Sequence, residues 1–237
     1  MEKLHQASLY TYMTKLLITG GCSNTAQTGV KNYEKYGVFT WPTLVSEKLD
    51  IDLLNVAVAG GSNGQIENRI FDAIMENRDK DIIVMVYWTN PTRINVFDYD
   101  TIIDYEFRSI HGTYIIDQTI RSIRRTKLLC SHFNIPCYQR ISLGIETSMK
   151  NASNKFVGVA EYINSHPHIK EIDIGFPELA WGRWSTHNIM MTDYALPCGH
   201  PNQQAHEFIA EMFIDTVNGK KMSSRLDFKP ETEFIYD

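Results

Sequence analysis

Four short stretches hold the residues able to do chemistry. Gly20-Gly21-Cys22-Ser23-Asn24-Thr25, Gly60-Gly61-Ser62-Asn63 and Trp88-Thr89-Asn90-Pro91 each follow an apolar run, and Cys198-Gly199-His200-Pro201-Asn202 stands far down the chain before an amphipathic segment. Nucleophilic acyl transfer needs a hydroxyl, an imidazole to take its proton, and donors aimed at the developing oxyanion. Ser23, His200, the Gly60 N–H and the Asn90 amide would supply that set if the fold brings them together. Each also has a plainer reading. Ser23 would serve as a helix cap, Gly60-Gly61 as a tight turn, Asn90 before Pro91 as a turn residue, and His200 as a cap or surface residue.

The elements that must position these residues alternate along the chain. Apolar runs Leu16-Leu17-Ile18, Leu53 to Val58, Ile82 to Trp88, Pro136 to Ile141 and the short Ile172 to Ile174 read as strands, and the third is unbroken enough for a central strand buried on both faces. Between them, 41–49, 62–77, 113–133 and 202–217 carry apolar residues at helical spacing, with Pro42 in a first turn and Asn202 at a capping position. This is the rhythm of a parallel sheet covered by helices, and in such sheets ligands collect at the carboxyl ends of the strands. No repeat or low-complexity linker interrupts it. One domain is expected over 13–218, with 1–12 as an extension and 219–237 as a polar arm.

Composition removes several function classes. A net charge of −5 and a pI near 5.9 give no general attraction to nucleic acid or to an anionic membrane surface. No run approaches the ~20 apolar residues of a membrane span, and no basic segment precedes an apolar one at the start, so a soluble, cytoplasmic protein is expected. The cysteines Cys22, Cys130, Cys137 and Cys198 show neither a CxxC pair nor zinc-like spacing. Cys22, Cys198 and Asp193 would permit a thiol nucleophile, a redox pair or a metal site; burial as small apolar groups is the commoner role of such cysteines. A dinucleotide loop fails because Ser23, Asn24 and Thr25 stand where glycines are required, and no GK[ST] follows for a Walker loop.

Taken in order, the four stretches resemble the blocks of the SGNH (GDSL-like) hydrolases, which contribute Ser, Gly, Asn and His in that sequence. Leu16 to Thr25 resembles the strand-then-GDS block with Ser23 at the nucleophile, and Asn55 to Gly60 resembles the second block with Gly60 at the oxyanion-hole glycine. Trp88-Thr89-Asn90-Pro91 matches the third block, with Asn90 as side-chain donor, and His200-Pro201-Asn202 matches the fourth. The likeness covers about residues 15–217 and is closest in style to phage and bacterial members whose first block reads GCS. Cys22 replaces the usual Asp of GDS, and Trp88 and Pro91 flank Asn90 where Gly and Asp are expected. Pro197 occupies the position of the triad Asp, three residues before the His. The third member is then Asp193 looped in, or a backbone carbonyl, or absent, leaving a Ser23–His200 dyad. In a chymotrypsin-type triad, losing that carboxylate costs ~10⁴ in turnover.

The resemblance implies a three-layer α/β/α sandwich, flavodoxin-like, with a mostly parallel sheet of about five strands. It also implies serine-dependent hydrolysis of an ester, an acyl or acetyl group on a carbohydrate or lipid, with oxyanion donors from Ser23, Gly60 and Asn90 and no metal or organic cofactor. Trp88, Trp181 and Trp184 are candidates for the substrate wall. From another class stands a weak or inactive protein on the same fold that binds glycan or serves in a virion, favoured by the missing carboxylate. His206, one turn into the last helix, is expected to pack or bond locally rather than catalyse.

Overall fold

Leu16, Leu17 and Ile18 are all buried because β1 (Lys15–Gly21) lies between two neighbours and is covered on both faces. It pairs in parallel with β2 (Asp52–Asn55) on one side and with β3 (Asp81–Trp88) on the other, and β3 pairs in parallel with β6 (Cys137–Ile141). The sheet order is β2-β1-β3-β6. A computed structural model describes residues 14–89, 93–96, 99–102, 105–141, 196–197 and 200–220. Among them β4 (Arg93–Val96) and β5 (Tyr99–Ile102) form a separate antiparallel pair. The expected strand at Ile172 to Ile174 lies outside the described residues, so the four parallel strands stand against about five expected.

Alternate residues of each strand feed two apolar layers. Leu16, Ile18, Ile82, Val84, Val86 and Trp88 pack with Ile66, Ile70 and Ile74 of α3 (Asn63–Glu76) and Ile123 of α4 (Tyr105–His132). Leu17, Met85 and Tyr87 face the other way. They meet Trp41 and Val45 of α2 (Trp41–Leu49) and Ile209, Phe213 and Ile214 of α5 (Gln203–Val217). Helices therefore cover both faces, and the three-layer sandwich expected from the sequence is the one observed. The Trp41 and Phe213 rings stack at 4.4 Å, which fixes α2 on α5.

Boundaries moved where local chemistry competes with pattern. β2 stops at Asn55 rather than Val58, yet Val56 and Val58 still donate to the Thr19 and Gly21 carbonyls at 2.9 and 3.2 Å. The chain thus follows β1 beyond the strand end. α4 begins eight residues before the expected 113, running through Gly112, whose helix penalty is only about 1 kcal/mol. The short α1 (Lys31–Tyr36) and the β4–β5 pair had no strong periodicity to announce them. Among the described residues no helix is long and apolar enough to cross a membrane.

Gly21 is the tightest point of the sheet. A Cβ there would fall 2.1 Å from Thr25 Oγ1 and 3.0 Å from the Tyr87 carbonyl oxygen, a backbone atom that cannot swing aside. Gly21→Ala is expected to cost about 2 kcal/mol or more through overpacking. Urea unfolding of wild type and variant measures it, and an unchanged midpoint would show that the Thr25 turn can move away.

Candidate active site

Chain order and sheet order together locate the site. From β1 the chain crosses to β2 on one side and then returns past β1 to β3 on the other, so the order reverses between β1 and β3. A crevice opens outside the carboxyl ends of strands at such a reversal. Gly20-Gly21-Cys22-Ser23 and Trp88-Thr89 are the two ends concerned.

Beyond β1 the chain folds into a tight turn in which the Cys22 carbonyl accepts from both Thr25 N–H and Ala26 N–H at 2.9 Å. Ser23, 9% exposed, sits on that turn. Its far side is pinned. Thr25 Oγ1 accepts from the Trp41 indole N–H at 3.3 Å, and the Thr25 carbonyl accepts from Asn55 Nδ2 at 2.9 Å. Gly60 is held close by the loop that trails β2, since Val58 N–H bonds to Gly21 and Gly61 N–H turns back to the Val58 carbonyl at 3.0 Å. Its φ of 84° is a left-handed conformation that favours glycine, and the residue is exposed.

Asn90 lies outside the described residues, but the backbone leading to it is fixed. Asn63, the first residue of α3, accepts from Thr89 N–H at 2.9 Å and donates to the Thr89 carbonyl at 3.2 Å and to Thr119 Oγ1 at 3.0 Å. One buried amide thereby clamps the end of β3 and ties it to α4. Sequence reasoning noted Asn63 only as part of a polar cluster; its position just after a glycine pair and the Ser62 cap was the available signal.

His200 is half-buried, its carbonyl accepting from Leu196 N–H at 2.8 Å, while Pro197 is exposed in the turn between them. The edge of Tyr33 meets the His200 ring with centroids 5.9 Å apart and meets His206 at 5.1 Å. His206 is fully buried, and its Nδ1 accepts from Trp41 N–H at 3.3 Å, which assigns the neutral ring's proton to Nε2. The relay Thr25–Trp41–His206 therefore links the Ser23 turn to the helix that begins beside His200. His206 bonds locally, as expected.

Electrostatics keep both imidazoles neutral. Burial, and secondarily the charge of Arg93, push the His200 pKa below its ordinary 6.5. Burial, with the neighbouring His200 adding to it, takes His206 down to about 3. A neutral imidazole is the form able to accept a serine proton.

Some expected residues sit elsewhere. Trp88 is not a pocket wall: it is fully buried in the layer under α3 and α4, and its indole N–H donates to Gln139 Oε1 at 2.8 Å. An indole that satisfies its donor inside the core serves packing. Asp193, Trp181, Trp184 and Cys198 lie outside the described residues. Cys22 is a buried free thiol, and among the described residues no group of three or more His, Cys, Asp or Glu could hold a metal ion.

Two pH effects follow. Because His200 must be neutral to act as a base, its Cε1–H resonance in NMR should titrate below pH 6.5, and Arg93→Gln should move that titration upward. His206 acts on stability. Below 6.5 the unfolded chain binds a proton that the folded chain refuses until about pH 3. Stability is thus full above 6.5 and falls as the pH drops toward 3, by about 1.4 kcal/mol per unit from this group. His206→Gln should remove about one proton's worth of that slope in unfolding curves taken between pH 7 and 4.5; an unaltered slope would show that His206 is not the group responsible.

No protein-family model and no curated protein matches this sequence. Solved structures do match it in fold. The psychrotrophic esterase EstA from Pseudoalteromonas sp., in a structure inhibited by monoethylphosphonate, is 16% identical, with 86% of this chain and 97% of that one covered at a TM-score of 0.51. TesA is 11% identical, with 86% and 98% covered at a TM-score of 0.52. Identities this low speak for architecture alone, and this chain shares the α/β fold of these two proteins.

Proposed function

We propose that the protein hydrolyses esters through an acyl-enzyme on Ser23, with His200 as base. The observation that supports this reading is a half-buried imidazole, kept neutral, linked through Tyr33, His206 and Trp41 to the tight turn after β1 that bears Ser23. His200 takes the Ser23 Oγ proton as the oxygen attacks the ester carbonyl, and returns it to the departing alkoxide. Water then attacks the acyl-enzyme, gives a proton to His200 and frees the acid, and Ser23 recovers its proton. The Ser23 and Gly60 N–H groups and the Asn90 side chain are the proposed oxyanion donors, each worth ~3–4 kcal/mol in related chemistry. The expected substrate is an acyl or acetyl ester of a carbohydrate or lipid, and the chemistry needs no metal or organic cofactor.

The competing reading is a protein on this fold that binds without turnover. Its support is Pro197, an exposed residue with no carboxylate, where the fourth block usually carries the Asp that orients the imidazole.

Labelling with a fluorophosphonate followed by mass mapping decides between them. Modification confined to Ser23, absent in Ser23→Ala and reduced at least about 100-fold in rate in His200→Ala, is expected of a base-activated serine. No labelling of a wild-type protein whose circular dichroism reports a folded state would overturn the hydrolase reading and favour the binding protein.

A further inference from the structure

Arg93 opens β4 four residues after Thr89, and β4 packs against α3, the helix whose first residue clamps the end of β3. Its side chain is partly buried and its Nη1 fully so, yet that nitrogen has no hydrogen-bond partner, and among the described residues no carboxylate pairs with the guanidinium. Its charge nevertheless reaches His200. A guanidinium withdrawn from water is normally paired. Here Nη1 has no partner, and the charge is felt by the imidazole that, in the hydrolase reading, becomes cationic when Ser23 gives up its proton. On a neutral ester Arg93 therefore opposes the step that His200 performs. A negative charge arriving with the substrate would reverse that effect, because it would pair with the guanidinium and relieve the imidazolium together.

We propose that Arg93 is a substrate-recognition residue and that the site takes esters bearing a carboxylate within a few atoms of the scissile carbonyl. This rests on the hydrolase reading for its chemistry, though not for the binding of the anion. The planar five-donor fork of arginine fits a carboxylate in two parallel hydrogen bonds. Other buried polar atoms also lack partners, among them Thr89 Oγ1 on the clamped strand end and Gln65 Oε1, which lies 3.0 Å from where a Cβ on Gly61 would stand. A polar ligand would give such groups partners; an alkyl chain would not.

Matched ester pairs test this. The carboxylate lies on the alcohol side in 4-acetoxybenzoate, against neutral 4-acetoxybenzamide, and on the acyl side in 4-nitrophenyl hemiadipate, against 4-nitrophenyl hexanoate. In wild type, kcat/KM should favour the charged member of at least one pair, and Arg93→Gln should lower that charged-to-neutral ratio about tenfold or more. Arg93→Lys, which keeps the charge and loses the fork, should fall between. The pair that responds tells which half of the ester carries the charge. A ratio near one in wild type, or one that Arg93→Gln leaves unchanged, would overturn the proposal. Binding is read separately by calorimetry, with adipate and 4-hydroxybenzoate as probes on wild type and both variants. Should Ser23 prove unreactive, anion binding lost in Arg93→Gln would still uphold the recognition site while the hydrolase reading falls. Binding that is absent in wild type, or indifferent to Arg93, would sink the site itself.

Discussion

The end of β1 at Gly21 carries constraints from every side. Its backbone is in register with Tyr87 of β3, its carbonyl accepts from Val58 of the loop after β2, and Thr25 folds back over its Cα where a methyl would stand. These contacts leave the chain one way out of the strand, through the turn that bears Ser23. The same contacts bring the Gly60 loop alongside, because Val58 pairs with Gly21 just before the chain reaches Gly60. Ser23 and Gly60, the proposed nucleophile and oxyanion glycine, are thus positioned by one parallel ladder continued past its last formal strand residue. Main-chain hydrogen bonds inside a close-packed sheet are stiff, and sites built on them hold geometry better than sites on free loops.

The imidazole side is positioned by different means. α5 starts at an Asn202 cap, whose side chain accepts from Ala205 N–H at 3.1 Å, and its inward face is locked by Phe213 stacked on Trp41. Trp41 works at both ends: its indole N–H reaches Thr25, and its backbone N–H reaches His206. Gln27 closes the arrangement by accepting from Thr40 N–H and donating to the Val38 carbonyl, while Phe39 N–H bonds to Gln203 Oε1. The segment between Ser23 and α2 is in this way bonded to the start of α5, so the two halves of the candidate site are tied together though they lie far apart in sequence.

Fold legibility followed the strength of the periodic signal. Ile82 to Trp88 read as a central strand because seven apolar residues in succession suit burial on two faces, and Trp41–Leu49, Asn63–Glu76 and Gln203–Val217 were legible within a residue or so because their apolar faces repeat at 3.6. The β4–β5 pair escaped because Arg93 to Ile102 mixes polar and apolar residues without a turn signature such as Asn-Gly. In the site, Ser23 and His200 were legible as types in context. What Asn63 and Arg93 do was not, since a buried amide clamp and an unpaired guanidinium are defined by partners, or their lack, across the sheet. Trp88 was misread for the same reason: tryptophan near a strand end suits a sugar wall or a core equally, and only Gln139 on β6 decides.

Absence of a carboxylate at Pro197 bears less heavily on the chemistry than the chain position suggests. A triad carboxylate does two things: it fixes the ring's tautomer and orientation, and it stabilises the imidazolium as it forms. The first can be met by packing, and here the edge of Tyr33 and the bond from Leu196 to the His200 carbonyl constrain the ring and its backbone. The second cannot, because burial and Arg93 both act against the cation. On the proposed mechanism, electrostatic help for the imidazolium can come from Asp193, from the oxyanion formed in the same step, or from the substrate. An anionic substrate paired with Arg93 would remove one of the two opposing effects, which turns the missing carboxylate from a defect into a basis for selectivity. On that proposal the balance is set by charge, and it would be read in the identity of the ester the site prefers.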